Sequence, residues 1–74
     1  MKILVDNSND EVVFIAPEIE YSGNNTITKN DTGDIVLIFG DMTPENSRIE
    51  AVEEPPADFS GRNYYYSGGR FIKK

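Results

Sequence analysis

The sequence contains no cysteine and no histidine, and these two absences remove much of the usual catalytic chemistry. Without cysteine no disulfide braces the fold, and zinc ribbons and fingers are excluded. Without histidine the side chain that most readily exchanges protons near neutral pH is missing, so Ser-His-Asp and Cys-His arrangements cannot be assembled. A transition-metal site would need oxygen ligands alone, which zinc, copper and iron rarely accept. A carboxylate pair remains conceivable, but it needs a substrate cleft that so short a chain can hardly wall in. The expectation is a protein with no cofactor and no enzymatic activity. Long apolar runs are also absent. Nothing approaches the roughly 20 residues that cross a bilayer, and the opening Met1-Lys2-Ile3-Leu4-Val5-Asp6 turns acidic too early for a signal peptide. No membrane association and no signal-peptide export are expected.

Basic residues are scarce where they would matter for nucleic acid. The 74 residues carry a net charge of -6. All 13 acids and only 3 bases lie in residues 1–61, whereas residues 62–74 hold 4 bases and no acid. An acidic body repels phosphate backbones, so direct nucleic-acid binding is not expected. The basic end either pairs with the acidic body or docks onto an acidic partner. Apolar residues make up 38 % of the chain, with 4 Phe and 4 Tyr, enough for one small core. A domain of this size buries only about 60 % of its unfolded surface, so self-association or a protein partner is expected to complete it.

Helical spacing of apolar residues is missing as well. Apolar and polar residues alternate with period two almost throughout, with Val and Ile prominent, which specifies strands. Residues 2–5 and 11–16 flank the run Asp6-Asn7-Ser8-Asn9-Asp10, whose side chains bond their own backbone, and so form a hairpin. Pro17 interrupts pairing, and 18–21 continues as an edge or irregular segment. Residues 26–29 and 34–39 form a second hairpin across Asn30-Asp31-Thr32-Gly33. The run Ile35-Val36-Leu37-Ile38-Phe39 is apolar on both faces. It suits a central strand covered on two sides, or one with a face that a partner covers; burial within the fold or an oligomer is the favoured reading. Residues 40–47 connect, with one helical turn capped by Thr43 and started by Pro44, and 48–52 is a further strand. Glu53-Glu54-Pro55-Pro56 cannot pair and should extend stiffly. Beyond it, 63–66 and 70–73 flank Gly68-Gly69, two glycines that supply the positive φ of a tight hairpin.

Alternation sends Tyr64 and Tyr66 to one face of that hairpin and Tyr65 to the other. With Arg62, Arg70 and Phe71 they make a candidate protein-binding surface, since tyrosine offers rigid area with a polar tip; the plainer reading is a set of aromatics covering a small core. Asp6, Ser8 and Asp10 stand at the first, third and fifth positions of a calcium-type loop, but Glu11 replaces its glycine and Pro17 its bidentate acid, so no metal site is expected. The acids also admit a nucleic-acid mimic, with Glu18 and Glu20 on one strand face and Glu50, Glu53 and Glu54 clustered.

The closing segment, Glu54-Pro55-Pro56-Ala57-Asp58-Phe59-Ser60-Gly61-Arg62 followed by the tyrosines, the glycine turn and Phe71-Ile72, resembles that of short proteins encoded among tailed-bacteriophage structural and tail-fibre genes. The opening, Lys2 to Ile15, is similar to them too. Residues 22–50 carry no such likeness. The resemblance implies a non-enzymatic phage accessory protein of the virion or tail, in the particle or the host cytoplasm, and transfers no functional residues.

Together these readings predict an all-β (mainly β) domain, a small antiparallel barrel or sandwich of five to seven short strands. Residues 1–52 form the body, 53–62 a Pro-containing connection and 63–74 the C-terminal β-hairpin. The expected core is Ile3, Val5, Val12, Phe14, Ile35, Leu37, Phe39, Ile49, Val52, Phe59 and Phe71. The expected role is a structural or protein-interaction module, possible as a homo-oligomer. The alternative is an acidic inhibitor of a host defence or nucleic-acid-binding protein.

Overall fold

Ile3-Leu4-Val5 is only three residues long, yet it organises the molecule. In a computed structural model describing residues 1–74, these residues lie in β1 (Lys2–Asp6) and all three are fully buried. Successive side chains of a strand point to opposite faces, so complete burial requires cover on both. Leu4 packs on one side with Val13, Ala16, Ile19 and Met42, joined by Phe14, Phe39 and Ile49. Ile3 and Val5 pack on the other with Val12, joined by Phe59, Tyr64, Tyr66 and Phe71 among others.

The chain has eight strands, all pairings antiparallel, and no helix. β1 is central in a sheet ordered β2-β1-β6, with β2 at Val12–Ala16 and β6 at Ser47–Ala51. A second sheet, β3-β4-β5, comprises Glu18–Ser22, Asn25–Lys29 and Ile35–Phe39. The third is the hairpin of β7 (Tyr64–Ser67) and β8 (Arg70–Lys73). The fold class is as expected. The strand count exceeds the expected five to seven, and three small open sheets replace a closed barrel.

Local chemistry sets the turns. Asp6 Oδ1 accepts hydrogen bonds from Ser8 N–H at 2.9 Å and Ser8 Oγ at 2.7 Å, closing the first hairpin. Pro17 falls between β2 and β3, where the chain leaves one sheet for the other. Thr43 Oγ1 accepts from Glu45 and Asn46 N–H, and its carbonyl from Ser47 N–H at 3.1 Å, giving the capped turn before β6. Gly68 and Gly69 have φ of 61° and 76°, the two positive values that a two-residue type I′ turn demands.

Two expectations fail. The stretch Glu53-Glu54-Pro55-Pro56 is not stiffly extended but bends at Glu53 and Glu54; beyond it the chain turns at Pro56–Phe59 and at Ser60–Asn63, and Phe59 folds back onto the core. More consequentially, Ile35–Phe39 is an edge strand, paired with β4 alone. Ile35 and Leu37 are not core residues. The fully buried residues of this sheet are instead Thr26 and Thr28 of the central strand β4. Such burial is tolerable because each hydroxyl is bonded, Thr26 Oγ1 to the Met42 carbonyl at 2.7 Å and Thr28 Oγ1 to the Leu37 carbonyl at 3.0 Å.

Candidate functional site

β5 begins after a turn that Asn30 organises: its Oδ1 accepts from Thr32 N–H, Thr32 Oγ1 and Asp34 N–H at 2.8–3.0 Å. The strand pairs Ile38 with Ile27 and Leu37 with Thr28, with a bulge at Val36 before Ile35 meets Lys29. Ser22 and Asn25 close a two-residue turn, so they form a hydrogen-bonded pair, and the backbone groups of Thr26 and Thr28 face β5. Leu37 and Phe39 receive them. The N–H and C=O of Ile38 accordingly point toward the free edge.

Side chains on β5 are as open as its backbone. Ile35, Val36, Leu37 and Ile38 retain 55, 54, 44 and 52 % exposure. Only Phe39 is drawn inward, meeting Phe14 edge-to-face at 5.5 Å between centroids. Four consecutive exposed aliphatics thus lie on an unpaired strand edge, a combination that folded chains seldom leave open.

The hairpin proposed from sequence is differently placed. Tyr64 and Tyr66 do share a face, and both meet Phe71 edge-to-face at 6.2 and 4.9 Å on the core beside Ile3, Val5 and Val12. Tyr65 lies opposite, with Lys74 Nζ 5.1 Å from its ring centroid. Asp58 engages two polar ends of the hairpin. Tyr64 hydroxyl donates to Asp58 Oδ1 at 2.5 Å and Lys73 Nζ donates to Asp58 Oδ2 at 2.6 Å. These bonds hold the Asp58 carboxyl below the usual range, Lys73 foremost, and raise Tyr64 and Lys73 above theirs. Arg62, at φ 61°, reaches Asp6 and Glu11 at 3.3 Å each, and Lys74 also pairs with Glu11. Glu11 is thereby lowered, first by Lys74; Asp6 is lowered first by the Ser8 hydroxyl and only then by Arg62. The basic end of the chain therefore pairs with the acidic body. Arg70 alone among the bases has no ion pair.

Arg48 is the residue sequence reasoning missed. Its guanidinium spans Asn7 Oδ1 at 2.8 Å, the Tyr66 carbonyl at 2.9 Å, Asp10 at 3.1 Å and Glu50 at 3.4 Å, fastening the first turn and β7 to β6. Its partners come from three segments, the first turn, its own strand β6 and β7, and only Glu50 lies near it in sequence. A shallow hollow of about 280 Å³ lies where Val52, Glu53 and Glu54 approach Tyr66 and Phe71.

The chain matches no protein-family model, no curated protein sequence and no solved structure.

Proposed function

We propose that this chain is a non-catalytic interaction module that receives a protein partner by strand addition at β5. The observation that carries the reading is the coincidence of an unpaired edge with four half-exposed aliphatic side chains at 35–38. Lone exposed aliphatics are ordinary, but a contiguous set on a hydrogen-bonding edge is costly to leave in water and prone to aggregate. A partner strand satisfies backbone and side chains together. The resemblance of the two ends supports a setting in a bacteriophage particle or tail.

The test is co-purification with particles of the source phage, comparing the native chain with an Ile38→Lys variant. The native chain should be retained and the variant lost, while the two give the same circular dichroism spectrum. Retention of the variant at native level would refute the β5 reading; absence of the native chain from particles would refute the structural role.

The acidic-inhibitor reading draws on a different feature. Glu53 and Glu54 have no ion pair, although Glu50 is engaged by Arg48. It requires binding to a basic protein that weakens on reversing Glu53 and Glu54 and is indifferent to Ile38→Lys.

A further inference from the structure

Charge identifies the class of strand that β5 accepts, and this step rests on the reading of β5 as the binding edge. Six of the seven bases are committed to acids elsewhere. The acids that bracket β5 are not: Asp31 and Asp34 before it, Asp41 and Glu45 after it, form no ion pair. All four are exposed. Between Asp34 and Asp41 the sequence is Ile-Val-Leu-Ile-Phe-Gly, without charge. An apolar strand thus lies between two uncompensated negative ends, roughly 20 Å apart at the usual strand rise.

A second copy fits this edge poorly. Paired antiparallel about the centre of β5, Asp34 of one chain comes beside Gly40 and Asp41 of the other, at both ends. Paired parallel, each aspartate meets its own counterpart. Either orientation opposes like charges, which destabilises strand pairs. An occupant with cations at those ends reverses the sign of the interaction. We infer that the natural occupant of β5 is an extended segment of a different protein, about six uncharged apolar or β-branched residues long and flanked on both sides by Lys or Arg. Its central side chains stand beside Ile35 and Ile38 on the outer face and Leu37 on the inner, and its cations meet Asp34 and Asp41.

The experiment uses the full chain with two capped eight-residue peptides, both carrying Val, Ile and Thr between their end residues. One has Lys at both ends and the other Glu. Binding is read by labelled-peptide anisotropy and mapped by backbone amide shifts. At low salt the Lys-ended peptide should bind about tenfold more tightly, a ratio that falls toward unity in 1 M salt as the Debye length shrinks to about 3 Å. Its shifts should centre on residues 35–39, and a D34K/D41K variant should prefer the Glu-ended peptide. Equal binding of both peptides at β5 would overturn the charge inference and leave strand addition standing. Shifts confined to residues 63–74, or absence of binding by either peptide, would overturn both. Sedimentation of the chain alone should show a monomer; a dimer abolished by Ile38→Lys would assign β5 to a second copy and refute the inference.

Discussion

The C-terminal hairpin and β5 are both marginal elements of the fold, and they differ in how much of their bonding capacity the chain itself satisfies. In the hairpin, three aromatic rings stack over the core. The Tyr66 N–H donates to the Asp10 carbonyl at 2.8 Å, and Asp58, Glu11 and Arg48 bind its polar groups. In β5, one edge of the backbone and about half of each of four aliphatic side chains are left to water. The tyrosine triplet draws attention as a contact surface, yet Tyr64 and Tyr66 pack on the core, Asp58 holds the Tyr64 hydroxyl and Lys74 lies over the Tyr65 ring. The teaching of the contrast is that a binding surface is marked by what stays unsatisfied after folding, more than by unusual composition.

The comparison breaks most readily at the hairpin. Phe71→Ala removes the ring that both Tyr64 and Tyr66 contact, and should lower unfolding free energy by about 2 kcal/mol, measured by urea denaturation. Amides of residues 64–73 should lose exchange protection well before those of β3 and β4. Equal loss in both sheets would show that the hairpin is no separable layer.

Acid should act in the same place with a smaller effect. Asp6, Glu11 and Asp58 ionise more readily in the folded chain than ordinary carboxylates. Their contribution to stability is therefore complete above the ordinary carboxylate pKa of about 4 and is lost as pH falls through their depressed folded values. Amide spectra recorded from pH 6 to pH 2 should show the hairpin loosening first. Earlier loss of β5 pairing would contradict the assignment of the ion pairs. At the alkaline end the sign reverses: Tyr64 and Lys73 are raised, so their contribution holds below the ordinary value of about 10 and fades as pH climbs through the higher folded values.

The smallest effect sharpens the other side. Ile38→Thr keeps a β-branched residue on an exposed edge, and should change stability by less than about 0.5 kcal/mol in the same denaturation assay. Solubility should improve. A loss above about 2 kcal/mol, the range of a core truncation, would place Ile38 in the core and remove β5 as a binding edge.

Much of the local structure was legible because its causes are local. The turn at Asp6-Asn7-Ser8-Asn9-Asp10 follows from side chains short enough to bond the next amides, and Gly68-Gly69 from the left-handed φ that glycine alone adopts freely. The position of Tyr65 opposite Tyr64 and Tyr66 follows from strand alternation. Ile3, Val5 and Val12 were identifiable as core. The buried threonines of β4 were not, because a hydroxyl becomes tolerable inside only when a carbonyl meets it, and the carbonyls of Leu37 and Met42 are 9 and 16 residues away.

Taken alone, the sequence determined that this protein is built of short antiparallel strands, where its turns fall, and that its chemistry excludes thiols and imidazoles. Tertiary structure decided which apolar run lies inside. Ile3-Leu4-Val5 and Ile35-Val36-Leu37-Ile38-Phe39 are equally fit for burial by their own hydrophobicity, and the longer would be the natural choice. Burial, however, is a property of what packs on a strand: β1 has the second sheet on one face and the aromatic hairpin on the other, whereas β5 is an edge strand paired with β4 alone.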